Sequence, residues 1–126
     1  MDEKLFEEGL KNRKAVVGAE YVEKNLAAAD DFSLPFQEAM TAWCWGFGWG
    51  DEAIDHKTRS MMNLTMLAAL GKMTEWEIHC RGAIKNGVTK DEIRAILHII
   101  GIYCGVPQGL ECFRHARNVL EEHDML

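Results

Sequence analysis

Residues 74–87, TEWEIHCRGAIKNG, carry Glu75, Glu77, His79, Cys80 and Arg81 on about two turns of a helix. Histidine and cysteine are the side chains of acid–base, thiol and metal chemistry. Wound as a helix, the segment sorts into two faces. Trp76, His79, Cys80, Ala83 and Ile84 follow the i, i+3, i+4, i+7, i+8 pattern of a core-facing stripe, so His79 points inward. Glu77, Arg81 and Lys85 form the opposite face, with Glu77 and Arg81 spaced for a solvated helical ion pair. Glu75 lies one turn before His79 and can orient its ring.

Three more residues belong with His79. His98 sits inside ILHIIGIYC, the most apolar stretch of the chain, where an imidazole must find a partner. Arg59 is in phase with Met62, Asn63 and Met66, and Tyr103 follows His98 by five residues. Such groups either hydrogen-bond within a core or converge on a ligand pocket. Metal-ligand pairs of the His-x-x-x-His or Glu-x-x-His type are missing, so no metal site is expected. Cys44, Cys80, Cys104 and Cys112 contain no C-x-x-C pair and read as small hydrophobes and free thiols. Trp45 and Trp49 read as core or pocket wall.

The elements that must position these groups are all helical. Helices are predicted over about 2–15, 19–29, 33–47, 55–71, 76–87 and from Val88-Thr89 to about 104, with a last one opened by Pro107 and running to about 122. This is an all-α bundle of six to seven helices in one domain, 1–126. Ser33 reads as an N-cap, and Thr74-x-x-Glu77 and Thr89-x-x-Glu92 as capping boxes. Apolar stripes are predicted at Phe36, Met40, Trp43 and Phe47, and at Met62, Met66, Leu67 and Leu70. Residues 96–104, apolar on nearly every face, predict a helix buried on all sides, a subunit interface, or both. A net charge of -6 argues against nucleic acid or an anionic membrane as partner. The start is a charged amphipathic helix rather than a leader, so a cytoplasmic protein is expected.

WCWGFGW, IDHKTRSMMNLTMLAALG, EIHCRGAIKNGVTKDEI and LHIIGIYCGVP together resemble the carboxymuconolactone decarboxylase family, over about residues 18–120. The resemblance implies an all-α fold assembled as trimers or hexamers. It also implies decarboxylation of a small carboxylate, 4-carboxymuconolactone, in aromatic degradation, with no cofactor or metal. In that setting His79 is the expected proton donor, with Glu75 orienting it. His98 or Tyr103 contacts an enolate oxygen, Arg59 holds a carboxylate, and Trp45 and Trp49 line the substrate. Two departures stand out. Asp51 lies near a position where the decarboxylase branch commonly carries arginine, and an anion there disfavours a substrate with two carboxylates. The C-x-x-C of the superfamily's redox branch is missing. The other readings are an enzyme acting on another lactone or keto acid, a thiol-redox protein using an isolated cysteine, and a non-catalytic oligomeric binding protein.

Overall fold

The computed structural model describes residues 2–126. Among them there are seven α-helices, one π-helical segment and no strand. The chain divides between His56 and Lys57 into two compact units.

The first unit is built on a contact between backbones. Helix α1 (Glu3–Val17) starts at Asp2, whose carboxylate accepts the Leu5 N–H at 3.1 Å. It ends at Gly18, whose φ of 98° turns the chain directly into α2 (Ala19–Ala28). Helix α3 (Leu34–Met40) runs on into the π-helix Thr41–Gly48. Glycines let α1 lie against this π-helix. A Cβ at Gly9 would fall 2.0 Å from the Thr41 carbonyl oxygen, and one at Gly46 would fall 2.4 Å from that of Leu5. Arg13, 4% exposed, reaches across to donate to the Thr41 hydroxyl at 3.1 Å. Trp45 and Trp49 stack at 4.9 Å over Val16, and the Asn12 amide donates to the Trp45 carbonyl at 2.9 Å.

Two expectations fail here. The stripe predicted at Phe36, Met40, Trp43 and Phe47 faces mostly outward, the three aromatics being 68–73% exposed. Only Met40 of that set packs against the tryptophan cluster. Both faces of this segment are apolar, and the π-helical winding with its close glycine contacts selects Thr41, Ala42, Trp45 and Gly46 as the inner one. Ser33 precedes α3 but does not cap it. Its N–H and that of Phe32 donate to the Asp30 carboxylate instead, closing a local turn.

The second unit holds the larger core. It contains α4 (His56–Leu70) from its second residue on, with α5 (Met73–Lys85), α6 (Lys90–Cys104) and α7 (Val106–Glu122). Leu64, Trp76, Cys80, Ile93, Leu97, Ile100, Cys112 and Val119 meet at its centre. The Trp76 indole, fully buried, donates to the Leu64 carbonyl at 2.9 Å. The Thr89–Glu92 capping box forms as expected. Gly105, at φ 98°, breaks α6 from α7, and Pro107 stands in the first turn that follows.

Helix α5 begins at Met73 with Lys72 as its cap residue, so Thr74 lies inside the helix and forms no capping box. On α4 the buried line is Ser60, Leu64 and Ala68, while Met62, Met66 and Leu70 are exposed. Small residues permit the closest approach, so side-chain size misidentified the inner face. Helix α6 buries one face only: Ile93, Leu97 and Ile100 point in, whereas Ile99, Ile102 and Tyr103 are 49–83% exposed.

The contact at Gly9 yields a test by sign. Alanine for glycine within a helix ordinarily stabilises by about 0.5–1 kcal/mol. Because a Cβ at Gly9 meets backbone, Gly9→Ala should instead destabilise by about 1–3 kcal/mol. Urea unfolding should give a lower midpoint with an unchanged slope.

Candidate active site

Ser60 and Asn63 of α4 meet His79 of α5 and Asn86 at its end. Three hydrogen bonds tie these helices. Besides the Trp76 indole on the Leu64 carbonyl, the Asn86 amide donates to the fully buried Ser60 hydroxyl at 3.0 Å. Between those two ties, the Asn63 amide nitrogen lies 3.2 Å from His79 Nδ1. Arg59, half-buried, is one turn before Asn63 on α4, and i, i+4 residues share a face. His79 therefore lies inward on the predicted Trp76–Cys80–Ala83 stripe.

Burial decides the charge of this histidine. Desolvation pushes the His79 pKa down to about 4, against an opposing pull from the Glu75 carboxylate. Glu75 is itself exposed, one turn from His79 as the sequence predicts. The ring is thus neutral at physiological pH. Desolvation also pushes the fully buried Cys80 thiol up to about 12, so it supplies no thiolate nucleophile.

The remaining predicted site residues lie elsewhere. His98 and Tyr103 are exposed on α6, and Tyr103 is 83% exposed. The His98 ring is 6.4 Å from that of Phe113 on α7. The expectation that both point into the core is overturned: the apolar run has an outer face, and they occupy it. Trp45 and Trp49 belong to the first unit, where Trp49 also lines an open cleft of about 550 Å³ with Lys11, Asp51, Asp55 and His56. Glu77 and Arg81 do pair, at 3.2 Å, but not as a solvated face. Glu77 also meets His115 at 2.5 Å, and Arg81 grips Glu122 of α7 at 2.8 and 2.9 Å. Asn63, the direct partner of His79, was not singled out in the sequence. Its signal was a lone amide one turn after Arg59 in an otherwise apolar run.

The sequence profile of the carboxymuconolactone decarboxylase family, matched against the chain, covers residues 35–122. The chain belongs to this family. It is 46% identical over 109 residues to a nitrosuccinic acid decarboxylase of Metarhizium robertsii, covering 86% of this chain and 76% of that protein. It is 31% identical over 121 residues to a 4-carboxymuconolactone decarboxylase of Acinetobacter baylyi, covering 96% and 90%. Both relatives are named decarboxylases, and the present protein is a decarboxylase-type lyase of the same family. Among the described residues, no helix is long and apolar enough to cross a membrane.

The depressed His79 pKa links stability to pH. The unfolded chain, with histidine near 6.5, binds a proton that the folded chain refuses down to about 4. Folding stability therefore falls as pH drops from about 6.5 to about 4, by an amount on the order of 3 kcal/mol from this group. In chemical denaturation across that window, His79→Gln should lose this part of the pH slope. An unchanged slope would mean that His79 titrates normally in the folded state.

Proposed function

We propose that the protein removes CO2, without a cofactor, from a small dicarboxylic acid whose departing carboxylate sits on a carbon joined to an electron-accepting group. The two named relatives support this class. In nitrosuccinic acid the nitro group shares a carbon with one carboxylate. In 4-carboxymuconolactone the electrons run through the ring double bond to the lactone carbonyl. In either case the C–C bond pair moves onto oxygen and CO2 leaves; a proton is then added to the carbon that lost CO2 in the nitro acid, and to the carbon beside the carbonyl in the lactone. The substrate is its own electron sink, and no metal or cofactor is needed to accept the pair.

The observation that carries this reading is a neutral His79 held against Asn63, one turn from Arg59. A neutral imidazole is a poor source of a proton but a good hydrogen-bond donor. Its N–H stabilises the oxygen on which charge develops, and one such donor is worth about 10²–10³ in rate. Arg59 holds the carboxylate that stays. The proton reaches carbon from solvent. Of the two substrate types, the nitro-activated one is favoured. The relative named for it shares 46% identity with the chain, against 31% for the other.

Assembly as a trimer or hexamer completes the reading. The outer face of α6 and the start of α7 carries Ile99, Ile102, Tyr103, Val106 and Leu110, all exposed. A second subunit covering this face would enclose His98 and Tyr103, the condition under which either could act on substrate. Light scattering in dilute buffer is expected to give a trimer or larger; a monomer at micromolar concentration would remove both residues from the mechanism.

The function is tested by CO2 release from nitrosuccinate and from 4-carboxymuconolactone. The wild type should turn over the nitro acid faster. His79→Gln should lower kcat by about 10²–10³ with the assembly intact. Wild-type rates in that variant would make His79 a structural histidine, and no CO2 from either compound would reject the substrate class.

A further inference from the structure

We propose that Asn63 is a positioning residue that fixes the tautomer of His79, holding the proton of the neutral ring on Nε2. This deepens the reading above and rests on it for its catalytic meaning. The nitrogen end of the Asn63 amide, not its oxygen, faces the ring. The Asn63 amide nitrogen has protons to give and no lone pair to offer. It lies 3.2 Å from Nδ1, so Nδ1 must accept. A neutral imidazole that accepts at one nitrogen carries its proton on the other.

Two further hydrogen bonds bracket this pair. Ser60 and Leu64 flank Asn63 on α4, and each receives its own hydrogen bond from α5 or the residue that ends it. The α4–α5 register is thereby pinned on both sides of the pair, and Asn63 cannot slide one turn along His79. Asparagine is also a poor residue for a helix interior, costing several tenths of a kcal/mol against leucine or alanine. In an otherwise apolar run, packing alone would select one of those. What asparagine adds at this position is a donor. A ring with its proton locked on Nε2 presents one fixed hydrogen-bond donor to an oxygen gaining charge, with no tautomer shift required at the moment of reaction.

The experiment inverts the partner. Asn63→Asp replaces a donor by an acceptor, and Asn63→Thr keeps a shorter donor. Side-chain ¹⁵N spectra of the histidines, with His79 assigned by its loss in His79→Gln, read the tautomer directly. In the wild type at neutral pH, His79 should show a protonated Nε2 and a bare Nδ1. Asn63→Asp should protonate Nδ1, and it should lower kcat by about 10² or more with little change in KM. Asn63→Thr should keep the wild-type tautomer and recover most of the rate. A wild-type His79 protonated on Nδ1 would overturn the proposal even if no Asn63 variant folds. So would an Asn63→Asp protein whose His79 spectrum is unchanged. The spectra need no turnover. The expected tautomer without CO2 release from either compound would sink the functional reading and leave the lock standing. The opposite tautomer, with His79→Gln still inactive, would sink only the lock.

Discussion

An imidazole withdrawn from water and set against an amide donor has little choice of state, and that constraint governs the candidate site. Burial makes the protonated ring too costly, and the distant pull of exposed Glu75 does not offset it. Everything that then follows depends on how firmly α4 and α5 are held. Their seam is tied by the Trp76 indole at one place and by the Asn86 amide at another, each ending on a buried acceptor. With the register set by these two ties, His79 is held against Asn63.

This frame suits a reaction in which negative charge moves without being created. A carboxylate enters, CO2 leaves, and the charge reappears on an oxygen some bonds away. A cation at the receiving oxygen would also bind the starting anion and gain little by differential binding. A neutral donor, fixed in direction, discriminates better between the start and the middle of the reaction. In the proposed mechanism the arginine grips the group that does not change.

Much of this was legible in the sequence where local rules apply. The Thr89–Glu92 box needs only neighbours on one chain, and the break before Pro107 needs only glycine and proline chemistry. The inward stripe of α5 was readable because its other face is charged. Failures came where both faces of a helix are apolar. In the segment holding Phe36, Trp43 and Phe47, and on α4, periodicity found a stripe but could not tell which side another backbone would approach. His98 and Tyr103 were misjudged for the same reason. The Asn63–His79 bond spans sixteen residues and depends on helix register, which no local pattern records. Thr74 failed as a cap because α5 starts one residue before it.

The π-helix has a consequence for how this region tolerates change in length. Its i to i+5 bonding, visible where the Trp49 N–H meets the Cys44 carbonyl at 2.9 Å, holds more residues per turn than an α-helix does. Gain or loss of one residue there acts as a gear shift rather than a point change. Deleting one position would let the segment rewind with ordinary α spacing, and each later side chain would swing round the axis. Trp49 would leave the face it shares with Trp45, and the outward aromatics would be carried toward α1. A stretch of eight residues thus stores the angular phase of the whole aromatic cluster.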